Sequence, residues 1–478
     1  MNKKICSVVM NSVSRDARVL KQARSLAKAG YDLTLIGISD SHFSSSRESI
    51  AENLEIRRVN LKLLRICALA MINVAAIIFL ISLLFFLRLL FPSFDFLMSM
   101  IVFVGLMGFA AFQLAVFTRS VKGVYEDTES SKAGNNSRRF IHSILNKLTT
   151  PILRYLWHFF RLIPFVFLVM RTKPDVLHCH DIYTLRIGFF AKLFLRCPIV
   201  YDAHEIYEEV PQILAGDGSR LRSFQRTHKL AQYFIDHFIA INESAANWYS
   251  EKYPKFPKAC IIMNATILSK GVNYDGRLHQ AAGLTPKTNI LLYQGGFSTH
   301  RGLDFLVRSA EFLPDDWVLV MMGWGNYEEY LRQLAGEINS RAALDGRSDV
   351  IKFIPPAPQS ELTEWSAGGT IGVIPYENTG LNHWFCTPNK MWEFPNAGLA
   401  VLVSPFPELR RPIDLYQNGW LLPKEEDVYF IGKLIRSLSS NDIATARQNS
   451  RTFIENDNWA LYERRLVDLY RQLLPLTN

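Results

Sequence analysis

Two long apolar runs without a charge constrain this chain more than any other feature. Ile66–Leu87 and Leu97–Phe117 are separated only by the short link RLLFPSFD. About 20 apolar residues in a helix are enough to cross the hydrocarbon core of a bilayer, and both runs reach that length. Because the link is short, we expect a transmembrane helical hairpin at 66–117 whose outer ends lie on the same side of the membrane. The alternative is a pair of helices buried within protein.

Basic residues flank the hairpin on both sides. They are Arg57, Arg58, Lys62 and Arg65 before the first run, and Arg119 and Lys122 after the second. Lys and Arg near membrane spans favour the cytoplasmic side. The start MNKKICSVVMNSVS also has too short an apolar run for a signal peptide. We therefore expect both ends of the hairpin, and the bulk of the chain, at the cytoplasmic face of the inner membrane.

The net charge and the cysteines of the chain narrow the possible binding partners and the cellular compartment. The net charge of +9 favours anionic partners. The 6 cysteines are dispersed, with no C-x-x-C pair, which argues for a reducing compartment and against a disulfide framework or a zinc site. A length of 478 residues suggests two or three domains.

The remaining chain reads as repeated strand–turn–helix–strand units. The first unit consists of a strand at 4–10, a helix that ends at Lys28 and the strand DLTLIGI. A second unit begins with the stretch NILLYQGGFSTHRGLDFLVRSAEFL. Such units build parallel sheets of the nucleotide-fold type. No G-x-G-x-x-G is present, so no dinucleotide cofactor is indicated. The basic, aromatic segment 139–170 either lies in the membrane interface or covers the first sheet.

The stretch TPNKMWEFPNAGLA combines helix-start residues with ligand chemistry. Thr387 suits an N-cap and Pro388 the first helical position, so we expect a helix to open here. Its unpaired amides and Lys390 favour a phosphate, whereas Glu393 suits two vicinal hydroxyls such as those of a ribose. The pairing suggests a nucleotide. The alternative is an ordinary capped helix with a solvated lysine and glutamate.

The stretch PNKMWEFPNAGLAVLVS resembles the P-x-K-x-x-E-[FY]-x-x-x-G-x-x-[VI] element of glycosyltransferase family 4, whose members have the GT-B fold of two Rossmann-like domains. In that family the glutamate holds the ribose of a nucleotide sugar. Phe385 departs from the pattern, because many members carry a second glutamate there.

The resemblance extends to the rest of a donor site. Arg301 stands where members keep a basic residue on the donor diphosphate, and Gly296 stands where another basic residue is often found. The implied donor-binding residues are Gly295, Gly296, Arg301, Gly323, Gly325, Thr387, Pro388, Lys390 and Glu393.

Two short strand patterns each end in a histidine followed by an acid, PDVLHCHD and PIVYDAHE. The His178–Asp181 cluster does not predict a metal site, on the argument that alternate residues on a strand face opposite sides and no further ligand pair follows. Both stretches resemble family-4 motifs in which the second histidine, here His204, approaches the transferred sugar. The resemblance places His180 and Asp181 in the acceptor cleft, together with Asp16 and Arg18 of the opening D-x-R-V motif.

The resemblance also implies the domain order. We expect an acceptor domain at 1–268, interrupted by the hairpin at 66–117, and a linker at 269–287. A nucleotide-sugar-binding domain would follow at 288–455, with a terminal helix at 456–478 returning to the first domain.

These expectations converge on a membrane-associated hexosyltransferase, retaining and metal-independent as the family implies, with His204 and Arg301 as catalytic residues. It would use a nucleotide diphosphate sugar and no separate cofactor. The hairpin suggests a lipid-linked saccharide acceptor of surface-polysaccharide or glycolipid synthesis, and no nucleic-acid partner is expected. The alternatives are a nucleotide-sugar epimerase of GT-B shape and a catalytically silent scaffold, which Phe385 and Gly296 favour.

Overall fold

The computed structural model describes residues 3–14, 16–40, 45–61, 160–216 and 218–475, with seven isolated positions between 62 and 159. None of the helices within this part of the chain is both long and apolar enough to cross a bilayer. The predicted hairpin at 66–117 lies outside the described residues, apart from those isolated positions.

Fourteen strands are described. They are β1 (Lys4–Val8), β2 (Asp32–Ile38), β3 (Arg47–Ala51), β4 (Leu54–Val59), β5 (Val176–His180), β6 (Ile199–Ala203), β7 (His237–Ala240), β8 (Ala259–Ile261), β9 (Asn289–Gly296), β10 (Trp317–Trp324), β11 (Ile351–Ile354), β12 (Ile371–Ile374), β13 (Ala400–Val403) and β14 (Gly419–Leu421).

The helices of the described ranges connect and cover these strands. They are α1 (Ala17–Lys28), α2 (Ile163–Thr172), α3 (Asp181–Leu195), α4 (Pro211–Leu214), α5 (Ser219–Ala231), α6 (Glu243–Lys252), α7 (Arg277–Ala282), α8 (Leu303–Ser309), α9 (Glu328–Leu344), α10 (Leu362–Ser366), α11 (Leu381–Trp384), α12 (Lys390–Asn396), α13 (Pro407–Tyr416), α14 (Phe430–Ser437), α15 (Ser440–Asn456) and α16 (Trp459–Leu473), with single 3-10 turns at Tyr207–Glu209, Ala310–Phe312 and Gln359–Glu361.

The strands form two sheets, which confirms the predicted α/β class. The first has the order β3-β4-β2-β1-β5-β6-β7-β8 and the second the order β11-β10-β9-β12-β13-β14. Apart from the antiparallel pair of β3 with β4, the paired strands run parallel. The winding reverses between β1 and β5 and again between β9 and β12. Parallel sheets bind ligands at the carboxyl ends of the strands beside such a reversal.

The central strands of the first sheet are covered on both faces, as parallel strands require. Every residue of β5 and β6 is buried, including the polar His178, His180 and Asp202. Segment 139–170 is described only from 160 onward, where α2 packs on the first sheet through Phe165 and Val169. Buried polar groups need partners, so the three polar side chains of β5 and β6 must bond one another or their neighbours.

The terminal helix α16 returns across the molecule to the first sheet. Trp459 Nε1 donates to Ser25 Oγ of α1 at 3.0 Å, and Tyr470 Oη lies 2.8 Å from Nδ1 of His178. One apolar core cluster accordingly includes residues of both sheets and of α16. The last helix therefore joins the two sheets and supports the buried histidines.

The substitution Tyr470→Phe should lower the free energy of unfolding by about 1–2 kcal/mol, because it removes the partner of a buried imidazole while keeping the ring. Urea denaturation of the full-length protein measures the loss. Tyr429→Phe, at a side chain that is 52% exposed, is the matched control and should change stability little. Equal effects of the two substitutions would contradict the supporting role of Tyr470.

Candidate active site

The carboxyl edge of the second sheet is shaped by closely approaching backbone. A Cβ on Gly323 would lie 1.9 Å from the carbonyl oxygen of Gly295, so only glycine fits. Gly295 itself has a φ of 120°, and a Cβ there would lie 3.1 Å from Nζ of Lys390. The absence of a side chain at Gly295 therefore leaves the space that the Lys390 ammonium group uses.

Two cations meet at this edge around one tyrosine. The guanidinium of Arg301 donates a hydrogen bond to the Tyr376 hydroxyl and stacks over its ring at 4.4 Å from the centroid. Lys390 Nζ donates to the same hydroxyl at 3.2 Å. Burial lowers the pKa of Lys390, and the nearby charge of Arg301 adds to that effect. Two cations around a neutral hydroxyl favour the arrival of an anion.

Glu393 lies one turn beyond Lys390 on α12. Its Oε2 accepts a hydrogen bond from Gln294 Nε2 at 2.8 Å, and Gln294 Oε1 accepts one from Ser366 Oγ at 2.5 Å. Burial raises the pKa of Glu393, although the hydrogen bond from Gln294 and the charge of Lys390 oppose the rise. The carboxylate is thus held in a fixed orientation with acceptor capacity remaining.

These groups line one cleft of about 720 Å³. Its lining comprises Gln294, Gly295, Arg301, Met322, Trp324, Pro356, Ala357, Gln359, Leu362, Tyr376, Pro388, Asn389, Lys390 and Glu393. Arg301 and Glu393, 92 positions apart in sequence, therefore face the same space. Gly296, Gly323, Gly325 and Thr387 are neighbours of lining residues in sequence but do not line the cleft themselves.

The helix at this edge starts later than predicted. α12 begins at Lys390 with Asn389 as its cap residue, no side chain caps it, and Thr387 is not the N-cap. Asn389 already has helical backbone angles, and the carbonyl of Pro388 accepts from the Met391 amide at 3.0 Å. Pro395 lies near the end of the helix, which has only 7 residues. The positive character of the cleft accordingly comes from Arg301 and Lys390 more than from a helix dipole.

In the first sheet, the buried carboxylate of Asp202 is the centre of a polar cluster. Arg18 binds it through Nη2 at 2.6 Å and Nε at 3.2 Å, and Gln22 Nε2 donates to it at 2.8 Å. Two imidazoles, of His180 and His204, each lie 3.4 Å from its Oδ2. Burial alone would raise the pKa of Asp202, but the charges of Arg18 and His204 hold it well below its ordinary value.

His204 lies between two carboxylates. Its Nδ1 is 3.2 Å from Oδ1 of Asp181, opposite the contact of its Nε2 with Asp202, and Asp181 also accepts from the Tyr207 hydroxyl. Burial would lower the pKa of His204, but Asp202 and Asp181 outweigh it and raise the pKa. His180, in contrast, has its pKa lowered to about 3 by burial and by His178. The protonated form is therefore favoured at His204 and disfavoured at His180.

Arg18 differs from the prediction that it lines an acceptor cleft, whereas for Asp16 that role stays a prediction. Arg18 is only 5% exposed and supports the histidine cluster from behind, because the buried Asp202 carboxylate requires a counter-charge. Asp16 caps α1 by accepting from the Val19 amide at 3.1 Å, and it also accepts from Asn11 at 2.8 Å. The prediction for Arg18 is corrected by its burial.

Three side chains of metal-ligand type lie close together in this cluster. Among the described residues, ligand atoms of His178, His180 and Asp202 lie within 4.8 Å of one another. The prediction that His178 and His180 face opposite sides of the sheet is wrong. Residues two apart on a strand share a face, and the two rings stack at 4.1 Å. However, Arg18 already neutralises Asp202, and Ser7 and Tyr470 hydrogen-bond the rings. A second cation beside Arg18 would be repelled.

Backbone strain lies next to both clusters. Asp181 has a φ of 66° and His300, beside Arg301, a φ of 64°. Non-glycine residues in this region carry a cost of about 1–3 kcal/mol and are concentrated at functional sites.

Sequence reasoning missed the two central groups, Asp202 and Tyr376. The acid two residues before His204 in VYDAH was the available signal for Asp202, whereas no sequence pattern indicated Tyr376.

Known proteins resemble this chain in sequence and in fold. The family model described as Glycosyltransferase Family 4 matches residues 109–269. The D-inositol 3-phosphate glycosyltransferase of Streptosporangium roseum is 25% identical over 222 residues, covering 43% of this chain and 49% of the relative. That of Thermobispora bispora is 24% identical, covering 63% of this chain and 71% of the relative. The match with the first relative thus spans about half its length.

Solved structures share the two-sheet architecture. Sucrose-phosphate synthase from Thermosynechococcus elongatus superposes with a TM-score of 0.63 at 13% identity, covering 99% of both chains. Anabaena HepE, solved in complex with UDP and glucose, superposes with a TM-score of 0.59 at 12% identity, covering 98% of this chain and 100% of that one. At these identities the likeness concerns the fold alone, and it supports the predicted GT-B arrangement.

The substitution Asp202→Asn should lower the free energy of unfolding by about 3–5 kcal/mol, because it leaves the Arg18 charge buried without a counter-ion. Urea denaturation near neutral pH measures the loss. Asp414→Asn is the matched control, since its side chain is 58% exposed and pairs with Arg410 at the surface; a change within about 0.5 kcal/mol is expected there. A loss no larger than that of the control would mean that Asp202 is not the anchor of the cluster.

The stability contributed by His204 should depend on pH. Its pKa in the folded protein is raised above the ordinary 6.5, so its stabilisation is full below that value and is lost as the pH rises through the folded pKa. The difference in unfolding free energy between wild type and His204→Gln should therefore shrink with rising pH. His228→Gln is the control variant of opposite sign. Burial lowers the pKa of His228, so the stability that this residue contributes falls as the pH drops below 6.5. Parallel pH profiles for the two variants would contradict the assignment.

Proposed function

We propose that this chain, which belongs to glycosyltransferase family 4, transfers a sugar from a nucleotide diphosphate sugar to an acceptor held by the first sheet. One observation carries the proposal: Arg301, Lys390 and Glu393 line a single cleft beside the winding reversal of the second sheet. That cleft offers cations for a diphosphate and a fixed carboxylate for a ribose.

The leaving diphosphate would be stabilised by the two cations around Tyr376. Negative charge accumulates on the diphosphate as the bond to the sugar breaks, and preorganised cations act most strongly on charge that develops in the transition state. A bound diphosphate would also raise the pKa of Lys390, which burial lowers. Arg301 and Lys390 thus supply the charge that a divalent metal supplies elsewhere, which supports a metal-independent reaction without a separate cofactor.

Glu393 would accept hydrogen bonds from the two ribose hydroxyls. Its orientation is fixed by Gln294, which is itself held by Ser366. The lining of the same cleft includes the apolar Met322, Pro356 and Ala357, a surface suited to the flat face of a base. The UDP and glucose named for the Anabaena structure make uracil the first base to test.

His204 would orient the transferred sugar. Its imidazolium is favoured by Asp181 and Asp202, and its side chain is 16% exposed, so part of the ring remains accessible to a ligand. Asp181, with His180 behind it, would position the attacking hydroxyl of the acceptor. The family resemblance supports retention of the anomeric configuration.

The acceptor is proposed to be a lipid-linked saccharide of surface-polysaccharide or glycolipid synthesis. The support comes from the sequence of the predicted hairpin at 66–117 and its basic flanks, which favour attachment to the inner membrane with the two sheets on the cytoplasmic side. If purified enzyme in detergent glycosylated free water-soluble sugars as readily as lipid-linked ones, this part of the proposal would fail.

A donor panel tests the reaction class. Labelled nucleotide sugars are incubated with the full-length protein and a membrane extract as acceptor, for the wild type and for Glu393→Ala. Transfer of label to the lipid fraction by the wild type, abolished in the variant, supports a transferase. Conversion of the donor sugar without transfer would indicate an epimerase, and absence of turnover with every donor would indicate a silent scaffold.

The substitution Arg301→Gln should lower kcat/KM for transfer by about 100-fold, because it removes a preorganised charge from the diphosphate. Glu393→Gln should weaken UDP binding about tenfold, because a hydrogen bond to a charged group contributes about 1.5–3 kcal/mol. Initial rates and UDP titration calorimetry measure the two effects. Arg308→Gln, at an exposed arginine of α8 that does not line the cleft, is the matched control. If Arg301→Gln and Arg308→Gln behave alike, Arg301 does not contact the donor.

A further inference from the structure

A second cavity, of about 450 Å³, lies in the first domain beside the histidine cluster. It opens at the carboxyl ends of β1, β2 and β5, because Met10, Ile38 and Ile182, which line it, lie at or just after the ends of those strands. This is the edge at which a parallel sheet binds ligands. None of the residues predicted from the sequence to form the acceptor cleft lines this cavity.

Three arginines line the cavity. They are Arg161, Arg186 and Arg220, and within the described residues none of them forms an ion pair with an acid. Arg186 donates to Ser223 Oγ at 2.7 Å, whereas the buried Nε of Arg161 has no hydrogen-bond partner in the described part of the chain. Burial and the neighbouring charge of Arg186 both lower the pKa of Arg161. Guanidinium groups gathered without a counter-ion match the geometry of a phosphate or diphosphate.

A shared aromatic wall connects this cavity to the site proposed for sugar transfer. The rings of Tyr183 and Phe224, which line the cavity, lie 5.9 Å and 6.0 Å from the ring of Tyr207. The Tyr207 hydroxyl in turn donates to Asp181, which contacts His204. A phosphate among the arginines would therefore lie next to a sugar held at Asp181.

An apolar groove of about 270 Å³ continues from the other side of the cavity. Its lining is wholly apolar and comes from α2, α3 and the residue before α2, namely Leu162, Ile163, Val166, Phe167, Met170, Phe190 and Phe194. Leu162 lines both the groove and the arginine cavity. Two of the groove rings are largely exposed, Phe167 at 56% and Phe194 at 64%. Such a strip beside a cationic cavity suits an amphiphile with an anionic head.

The connectivity of the chain relates this face to the predicted membrane spans. The continuously described chain stops at Leu61 and resumes at residue 160, and both Leu61 and Arg161 line the arginine cavity. The described residues on either side of the sequence that carries the two apolar runs at 66–117 therefore meet at this cavity. A hairpin anchored in a bilayer would hold the groove at the membrane surface.

We propose that Arg161, Arg186 and Arg220 bind the phosphate or diphosphate head of a lipid-linked acceptor, and that the groove between α2 and α3 binds the first part of its hydrocarbon chain. This inference rests on the proposed function, because it identifies how the acceptor of that reaction is held. The sugar nearest the phosphate would then lie beside Asp181 and His204.

A competition experiment tests the proposal with the full-length protein in detergent. The probe is a fluorescent polyprenyl diphosphate, displaced by unlabelled polyprenyl diphosphate, by polyprenol of equal chain length, or by inorganic pyrophosphate. The unlabelled diphosphate should compete at least tenfold better than either other compound, because only it offers both head and chain. Equal competition by pyrophosphate would overturn the lipid assignment, and equal competition by polyprenol would overturn the role of the arginines.

Matched variants separate the two parts of the site. Arg161→Gln and Arg186→Gln should weaken binding of polyprenyl diphosphate about tenfold each and leave binding of polyprenol unchanged, whereas Phe194→Ser should weaken both. Arg226→Gln, at an exposed arginine of α5 outside the cavity, and Leu344→Ser, at a leucine that is 88% exposed, are the controls. Arginine variants that bind the diphosphate lipid like Arg226→Gln would refute the inference.

UDP binding in the same samples distinguishes the inference from the proposed function. The arginine variants should bind UDP like the wild type, because the arginines lie in the first domain and the donor cleft is formed by the second. Wild-type protein that binds the lipid diphosphate but not UDP would contradict the donor assignment and leave the arginine site standing. Variants that lose UDP binding as well would show a general loss of structure and would count against a specific acceptor site.

Discussion

The buried carboxylate of Asp202 is the interaction on which the first half of the molecule depends. A negative charge in the middle of a parallel sheet is tolerated only with an opposite charge and several donors, and Arg18, Gln22 and two imidazoles supply them. Because Arg18 lies on α1, the cluster also fixes that helix against β6. The same carboxylate raises the pKa of His204, so the structural support of the cluster and the charge state of His204 have one origin.

In the second half of the molecule, the charge that has to be balanced is positive. Arg301 and Lys390 converge on Tyr376, whose neutral hydroxyl cannot balance them, and Glu393 is one turn away from Lys390 with its pKa raised by burial. The first sheet therefore holds a satisfied anion and the second an incompletely balanced pair of cations. The proposed diphosphate would complete the second site, and binding energy from that charge would then be available only when the donor is present.

The sequence was sufficient for the fold class, because alternation of buried strands and amphipathic helices is a local pattern that parallel sheets require. It also identified Arg301, Lys390 and Glu393, which the structure brings to one cleft although they come from separate loops and helices. It could not predict Tyr376 or the partners of Glu393, since Gln294 and Ser366 meet only after folding.

Other errors have equally physical causes. Helix α12 begins at Lys390 and not directly after Thr387, because Pro388 and Asn389 first form a turn in which the Met391 amide donates to the Pro388 carbonyl. The edge strand β3 was missed because its residues are mostly exposed and lack an apolar pattern. Arg18 was assigned to an open cleft because sequence alone could not show the buried charge of Asp202 that it neutralises.

Phe385, at the position where many family-4 members carry a second acid, contacts the first half of the molecule. Its carbonyl accepts from Asn242 Nδ2 at 2.6 Å, and its side chain packs against the apolar core of the first domain. Nearby, the amide of Ile206 donates to Asn382 at 2.9 Å. The loop that carries Phe385 therefore joins the two halves through apolar contact and through hydrogen bonds between asparagine side chains and the backbone. An acid at position 385 would place a charge against that apolar core, so the departure from the family pattern follows from the packing of this loop, whereas Arg301, Lys390 and Glu393 line the cleft without contribution from Phe385.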